Sequence, residues 1–120
     1  MANVTTLLNA VTSTGAGPAK DLSRLIDKHV IQVDITGGPS AVTVVLEGSI
    51  DGNDFGVVGT HAFTAGDLTN TTAIFFDTDN PLLHVRVNLT VLTGGSTPSV
   101  TAIYEGVATG DPKTLRHGVF

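Results

Sequence analysis

The residues of this chain that could perform acid–base chemistry are its histidines and carboxylates. The candidate bases and their possible acidic partners are His29, His61, His84, His117, Glu47, Glu105 and the aspartates. The sequence has no Gly-x-Ser-x-Gly elbow, no His-Glu-x-x-His pair and no cysteine to set a nucleophile against a base. Scattered histidines of this kind usually make structural hydrogen bonds at strand ends. We therefore expect no catalytic residue and a protein that is not an enzyme.

The acidic loop Asp51-Gly52-Asn53-Asp54 raises the question of a metal site. A calcium-binding EF-hand loop has oxygen ligands at alternate positions, glycine at the sixth and glutamate at the twelfth. Counted from Asp51, Phe55 stands at a ligand position and Ala62 stands at the twelfth. Asp-Gly between two apolar runs instead favours a hairpin turn, because it supplies the positive φ angles of a tight connection. The sequence predicts a turn and no metal site.

A glycine-rich stretch, "TGAGPAKD" from Thr14, contains Gly15, Gly17 and Lys20 and invites comparison with a phosphate-binding loop. It lacks the Gly-Lys-Ser/Thr ending and the βα unit that such a loop requires. The interpretation we favour is a flexible or extended connector. No cofactor is predicted.

Composition limits the possible partners of this single 120-residue domain. The net charge is −5, which argues against a nucleic-acid surface, because phosphate binding needs clustered lysine and arginine. Charged residues make up 14 % of the chain, compared with about 25 % in ordinary soluble proteins. This shortfall suggests that other subunits cover much of the surface, although serine and threonine could also keep a monomer soluble.

Targeting signals are not apparent. The start "MANVTTLLNAV" has neither the basic region nor the apolar core of a signal peptide. No apolar run approaches the roughly 20 residues of a membrane span. We expect synthesis in a cytoplasm and no contact with a membrane.

Alternation of apolar and polar residues predicts the fold. In "HVIQVDIT" and "LHVRVNLTVL" the residues predicted to point inward are Ile31, Val33, Ile35, Val85, Val87, Leu89 and Val91. Further short apolar runs are bounded by Gly, Pro, Asn or Asp. We predict an all-β fold, a single β-sandwich or jelly roll of about six to eight antiparallel strands with extended N- and C-terminal arms. Residues 19–29, "AKDLSRLIDKH", are the only helical candidate and could form one or two turns.

An internal echo relates two parts of the chain. "HVIQVDIT" followed by "GGPSAVTVVLEG" resembles "HVRVNLTVLT" followed by "GGSTPSVTAIYEG". Each copy predicts a hairpin of two strands joined by a Gly-Gly turn. The echo could reflect duplication or the convergence that sheet geometry favours.

A family resemblance appears at these motifs. They are Glu47-Gly48-Ser49, Asp51-Gly52, the aromatic Phe55, "NPLLHVRVNLT" from Asn80 and "TGGSTPSVTAIYEG" from Thr93. Over residues 28–106 the chain resembles the small β-sandwich virion proteins of tailed bacteriophages, although Phe55 stands where tryptophan is more usual. An isolated sandwich without fibrous repeats is most similar to the capsid decoration, or cement, proteins of that group.

The resemblance implies a structural protein on the virion capsid surface. Its implied partners are the major capsid protein and further copies of itself, with a trimer favoured. Two alternatives remain open, a neck or tail structural protein and a receptor- or glycan-binding sandwich module.

The sequence also suggests which residues meet those partners. The predicted divisions are residues 1–27 as an arm or edge segment, 28–106 as the sandwich and 107–120 as a tail. Phe75 and Phe76 are consecutive, so one faces the core and the other faces outward. The tail is mildly basic in an acidic chain. The predicted subunit or capsid interface consists of Val45, Phe76, Ile103, Lys113, Leu115, Arg116, Val119 and Phe120.

Overall fold

The computed structural model describes residues 4–63 and 71–108, without the side chain of Asp79, and confirms the all-β prediction. The described strands are β1 (Thr5–Val11), β2 (Gly15–Ala16), β3 (Lys20–Thr36), β4 (Ala41–Ser49), β5 (Gly56–Phe63), β6 (Thr71–Thr93) and β7 (Ser99–Val107). All their pairings are antiparallel. Within these residues no helix is long and apolar enough to cross a membrane.

Two long strands, β3 and β6, build the sandwich by contributing to both of its layers. The hydrogen-bonded order is β1-β7-β3-β6-β4-β5, with β2 also paired to β6. Residues 71–78 of β6 pair with the second half of β3, whereas residues 84–93 pair with β4. The first layer is therefore β1, β7, the second half of β3 and the first half of β6. The second layer is the second half of β6 with β4, β5, β2 and the start of β3.

Both layers turn one set of alternating residues into a shared core. Its fully buried members from the main strands are Ile31, Val33, Ile35, Val42, Val44, Leu46, Val85, Val87, Leu89, Val100 and Ala102. Burying a valine, leucine or isoleucine side chain contributes about 1.5–3 kcal/mol, so these rows hold the layers together. The predicted inward positions in β3 are confirmed, as are the first three in β6.

The fourth predicted inward residue of β6, Val91, is 36 % exposed, so that prediction was wrong. Thr43 pairs with Val91, but Val44 pairs with Leu89, which leaves one extra residue in β6. This β-bulge reverses the alternation beyond it. Leu92, not Val91, then lies opposite Val42 and packs against the core.

The predicted helix at residues 19–29 was also wrong, because this segment is the first half of β3. Its pairing with β6 is interrupted by register shifts on both sides of Ile26. Ser23 adopts a left-handed backbone with φ 69° and donates its N–H to Asp21 Oδ1 at 2.8 Å. Such a local turn breaks a helical run. Leu22, Leu25 and Ile26 would share one face of a helix, but Leu25 is 54 % exposed whereas Ile26 is only 5 % exposed.

The two echoed segments are not hairpins. Strand β3 pairs with β6 and β7, and β4 pairs with β5 and β6, so neither Gly-Gly turn joins paired strands. The turns Gly37-Gly38 and Gly94-Gly95, with φ between 70° and 91°, instead carry the chain from one layer to the other. The first strand of each copy pairs with the second strand of the other copy, so β3 pairs with β7 and β6 pairs with β4. The turns also meet, because Ser96 N donates to Gly37 O at 2.8 Å.

The N-terminal segment is part of the sandwich from Thr5 onward rather than a free arm. Strand β1 pairs with β7, and the register shift after Thr6 accompanies the burial of the consecutive Leu7 and Leu8, which are 1 % and 2 % exposed. Burial of both side chains would be lost if the segment detached.

Candidate docking surface

The outer face of the first layer carries an apolar patch. We call Val30, Ile74, Phe76 and Ile103 the apolar outer face. Val30 lies opposite Phe76, and Gln32 lies between Ile74 and Ile103 in the next row. Phe76 is 69 % exposed and Ile74 is 53 % exposed. Large apolar side chains gathered on one sheet face in this way are typical of a surface that another molecule covers.

The orientation of Phe76 follows from the packing of its neighbour in the chain, Phe75. Phe75 points inward and stacks on His61 with ring centroids 4.0 Å apart, and it meets Phe63 edge-on at 5.4 Å. Successive side chains of a strand alternate between faces. Since Phe75 is held inward by these rings, Phe76 must point away from the core.

A shallow groove runs beside the apolar outer face. Its volume is about 140 Å³, and it is lined by Val4, Val30, Gln32, Ile74, Ile103, Tyr104 and Glu105. The lining is mainly apolar, with one carboxylate at Glu105. The groove is of a size to accept one or two side chains rather than a whole small-molecule ligand, which usually needs about 300 Å³ or more.

Polar residues lie at both ends of the apolar outer face. Asp34 accepts hydrogen bonds from Thr72 Oγ1 at 2.7 Å and from Gln32 Nε2 at 3.4 Å. The row at the opposite end places Lys28 between Thr78 and Val107. The surface therefore resembles the apolar centre and polar rim of a protein interface.

Residues 71–78 of β6 also form an edge of the first layer. Among the described residues, this part of β6 pairs with β3 on one side only. Asp77 turns inward and lies 3.1 Å from His61 Nε2, which ties this edge to β5 across the sandwich. An edge strand with exposed apolar side chains is a site where another chain can pair.

The second layer has a very different outer face. Glu47 accepts a hydrogen bond from Arg86 Nε at 2.6 Å and another from Asn88 Nδ2 at 3.2 Å. The guanidinium of Arg86 also lies 4.2 Å from the centroid of the Phe55 ring. These contacts satisfy the polar groups within the chain.

The predicted interface residues separate into three groups. Phe76 and Ile103 lie on the apolar outer face, where the structure brings them together with Ile74 and Val30. Val45 lies in the second layer and is only 6 % exposed, so it offers almost no surface to a partner. The remaining five, Lys113, Leu115, Arg116, Val119 and Phe120, lie outside the described residues. Val30 was missed, although its alternation with Gln32 and Asp34 placed it outward.

The histidines of the described chain occupy separate structural positions. His29 is 1 % exposed, and its Nε2 donates to the carbonyl oxygen of Asn80 at 2.9 Å. The other ring nitrogen, Nδ1, shares a hydrogen bond of 2.6 Å with the Tyr104 hydroxyl. Burial raises the pKa of Tyr104 well above its usual range. His61 is engaged with Phe75 and Asp77, and His117 lies outside the described residues.

The acidic loop forms the connection of the β4–β5 hairpin, as the sequence predicts. Asp51 Oδ1 accepts hydrogen bonds from the N–H groups of Asp54 and Asn53 at 2.9 and 2.8 Å and from Ser49 Oγ at 2.9 Å. These donors, Asp54 first, lower the pKa of Asp51 from 3.8 to about 2. Gly52 takes φ 78°, which favours glycine. In the described ranges no three metal-ligating side chains come together.

Comparison with known proteins gives a fold and no family. No family model matches the chain, and no curated protein sequence matches it.

Solved structures share the sandwich. SPBc2 prophage-derived protein YomS is 16 % identical with a TM-score of 0.56, over 88 % of this chain and 92 % of that one. PBSX exported protein XepA is 11 % identical with a TM-score of 0.58, over 92 % of this chain but only 38 % of its own. CBM32-3 from a family 31 glycoside hydrolase of Clostridium perfringens is 10 % identical with a TM-score of 0.52, over 82 % and 72 %. At these identities the likeness establishes a β-sandwich fold.

Proposed function

We propose that the chain is a structural protein of a tailed-phage virion, which attaches to the outside of the assembled head and clamps adjacent major capsid subunits. The observation that carries this proposal is the apolar outer face, where Phe76 and Ile74 are more than half exposed. A folded sandwich that leaves such residues in water gains free energy when a protein neighbour covers them.

The size of that gain is set by general transfer energies. Complete burial of one large apolar side chain is worth about 1.5–3 kcal/mol. Aromatic residues at the centre of an interface often supply a large share of the binding energy. We assign that central position to Phe76, with Ile74, Val30 and Ile103 around it and the polar residues at the rim.

The proposed mechanism is thermodynamic rather than chemical. A protein that binds only the assembled lattice stabilises the lattice by mass action, by about 2.7 kcal/mol per site at a free concentration 100 times the Kd. If several copies act as one oligomer, the second and third contacts become intramolecular and strengthen attachment. A trimer would suit threefold positions of a shell.

Three independent observations support a phage origin and a structural role. The motifs between residues 28 and 106 resemble small virion proteins. Two structures with the same fold, YomS and XepA, are described as a prophage-derived protein and a PBSX exported protein. The chain also has only 14 % charged residues, which fits a surface shared with neighbours.

A glycan-binding module is the second candidate, because the exposed ring of Phe76 could stack on a sugar and because CBM32-3 has the same fold. The surroundings of the ring argue against this alternative. Sugar sites combine an aromatic platform with convergent polar groups, whereas Phe76 lies beside Val30 and Ile74. A neck or tail position uses the same apolar outer face with a different partner.

Locating the chain on the particle tests the proposal. Particles made from the genome that encodes the chain would be separated into heads and tails and analysed by mass spectrometry. We expect the protein in the head fraction, and heads lacking it should release DNA at a lower temperature. Recovery with tails would support the neck or tail alternative. Binding to a glycan array that is lost in Phe76→Ala would support the sugar-binding alternative.

A further inference from the structure

We propose that residues 109–120 of one copy dock on the apolar outer face of the next copy, so that the predicted interface residues other than Val45 form the two complementary halves of one self-association contact. The inference rests on the proposed function and deepens it, because it makes a neighbouring copy on the particle, rather than a capsid subunit, the partner that covers this face. It can be tested without heads or tails.

The first argument is chemical complementarity. Residues 109–120 contain three large apolar residues, Leu115, Val119 and Phe120, together with Lys113 and Arg116 against a single aspartate. The receiving surface offers an apolar groove lined by Val30, Ile74 and Ile103, with carboxylates at Glu105 and Asp34. A basic, apolar segment therefore meets an apolar surface on which the carboxylates of Asp34 and Glu105 outnumber the ammonium group of Lys28, in a chain whose net charge is −5.

The second argument is the point where this segment leaves the sandwich. Strand β7 ends at Val107, in the row beside Lys28 and next to the apolar outer face. Twelve extended residues reach about 40 Å. The distance across the layer from β7 to β6 is two strand spacings, or about 10 Å. The segment is long enough to cover the apolar outer face of a neighbour.

The third argument is direction. Strand β7 runs from Ser99 to Val107, so at its described end the chain is heading away from Ile103 rather than back over it. Residues 71–78 of β6 present an edge that is unpaired among the described residues, where an incoming extended segment can add main-chain hydrogen bonds.

A contact of this kind joins two different surfaces, the donor segment and the receiving face. Two copies can exchange their segments reciprocally, or the contact can repeat head-to-tail as a ring or an open chain. In either arrangement a mutation in either half must break association, and the two kinds of mutant must still complement each other. Neither a contact between two apolar outer faces nor docking on the segment's own copy predicts complementation.

The test uses three full-length variants and analytical ultracentrifugation. Phe76→Asp removes the receiving half, and the double variant Leu115→Asp with Phe120→Asp removes the donor half. Val57→Asp is the matched control, because Val57 is 67 % exposed on β5 in the second layer. Circular dichroism would show that each variant remains folded.

We expect the wild type and Val57→Asp to self-associate and the two interface variants to be monomeric. Mixed at the highest concentration at which each is still monomeric alone, the two should form a 1:1 complex. The inference is wrong if the wild type is monomeric, if either variant associates as the wild type does, or if the mixture stays monomeric. Loss of particle binding by Phe76→Asp with unchanged self-association would overturn this inference and leave the proposed function intact.

Discussion

The outer faces of the two layers differ in whether the chain satisfies its own side chains. On the second layer, Arg86 and Asn88 both donate hydrogen bonds to Glu47, and the guanidinium of Arg86 lies over the Phe55 ring. On the first layer, Phe76 and Ile74 remain in water. The same alternation of strand residues thus places a polar network that the chain itself satisfies on one outer face, where Val57 and Val91 are also exposed, and a cluster of apolar side chains on the other.

This difference has a simple physical origin. A carboxylate as buried as Glu47, which is 9 % exposed, must find donors within the chain, because an unpaired buried charge is strongly destabilising. An exposed phenylalanine carries no comparable penalty, so folding alone does not require its burial. Clusters of exposed apolar residues are therefore candidates for contacts with another molecule.

The largest expected effect contrasts the two adjacent phenylalanines. Phe75→Ala removes a half-buried ring packed against His61 and Phe63, so we expect a loss of about 2–3 kcal/mol in the free energy of unfolding. Phe76→Ala should change it by less than about 0.5 kcal/mol, because the ring is exposed. Urea denaturation of both variants measures the difference. Equal destabilisation would show that both rings serve the fold.

A second contrast places the same truncation on both outer faces. Glu47→Ala leaves Arg86 without its partner, and since Arg86 is 31 % exposed we expect a loss of about 1–2 kcal/mol, between surface and buried ion pairs. Glu105→Ala on the first layer is the control and should cost less than about 0.5 kcal/mol. Chemical denaturation of both variants measures the two losses in the free energy of unfolding. A Glu47 variant as stable as the control would mean that the polar network contributes nothing.

The smallest expected effect concerns Asp51, whose pKa falls from 3.8 to about 2 on folding. A depressed carboxyl pKa stabilises the fold above the unfolded value, and the contribution disappears as the pH falls through the folded value. The stability difference between the wild type and Asp51→Asn should thus be constant above about pH 5 and shrink as the pH falls through about 2. Thermal melts across that range measure it. A stability difference that does not change with pH would show that ionisation of Asp51 does not stabilise the fold.

Local patterns in the sequence predicted what local geometry determines. Alternation identified the inward residues of β3 and most of those of β6, and the adjacency of Phe75 and Phe76 predicted one exposed ring. The Asp-Gly sequence located the β4–β5 connection. Each of these features depends on residues close together in the chain.

Features that depend on distant pairing were not predictable in the same way. The Gly-Gly turns predicted hairpins, but the pairing of strands depends on the whole sandwich. The bulge that exposes Val91 depends on the register with β4. Strand β3 begins in a segment with a helical apolar pattern, where pairing with β6 overrides the local preference. Val45 was predicted to be an interface residue, and its burial likewise could not be predicted from local alternation.

The central claim is that the apolar outer face is a protein-docking surface, and titration of Phe76→Asp onto particles assembled without the protein tests it most directly. Loss of a central aromatic anchor costs about 2 kcal/mol or more, so the Kd should rise about 30-fold or more. Val57→Asp, equally exposed in the second layer, should bind within about twofold of the wild type. If Phe76→Asp remains folded and binds particles as tightly as the wild type does, the claim is wrong.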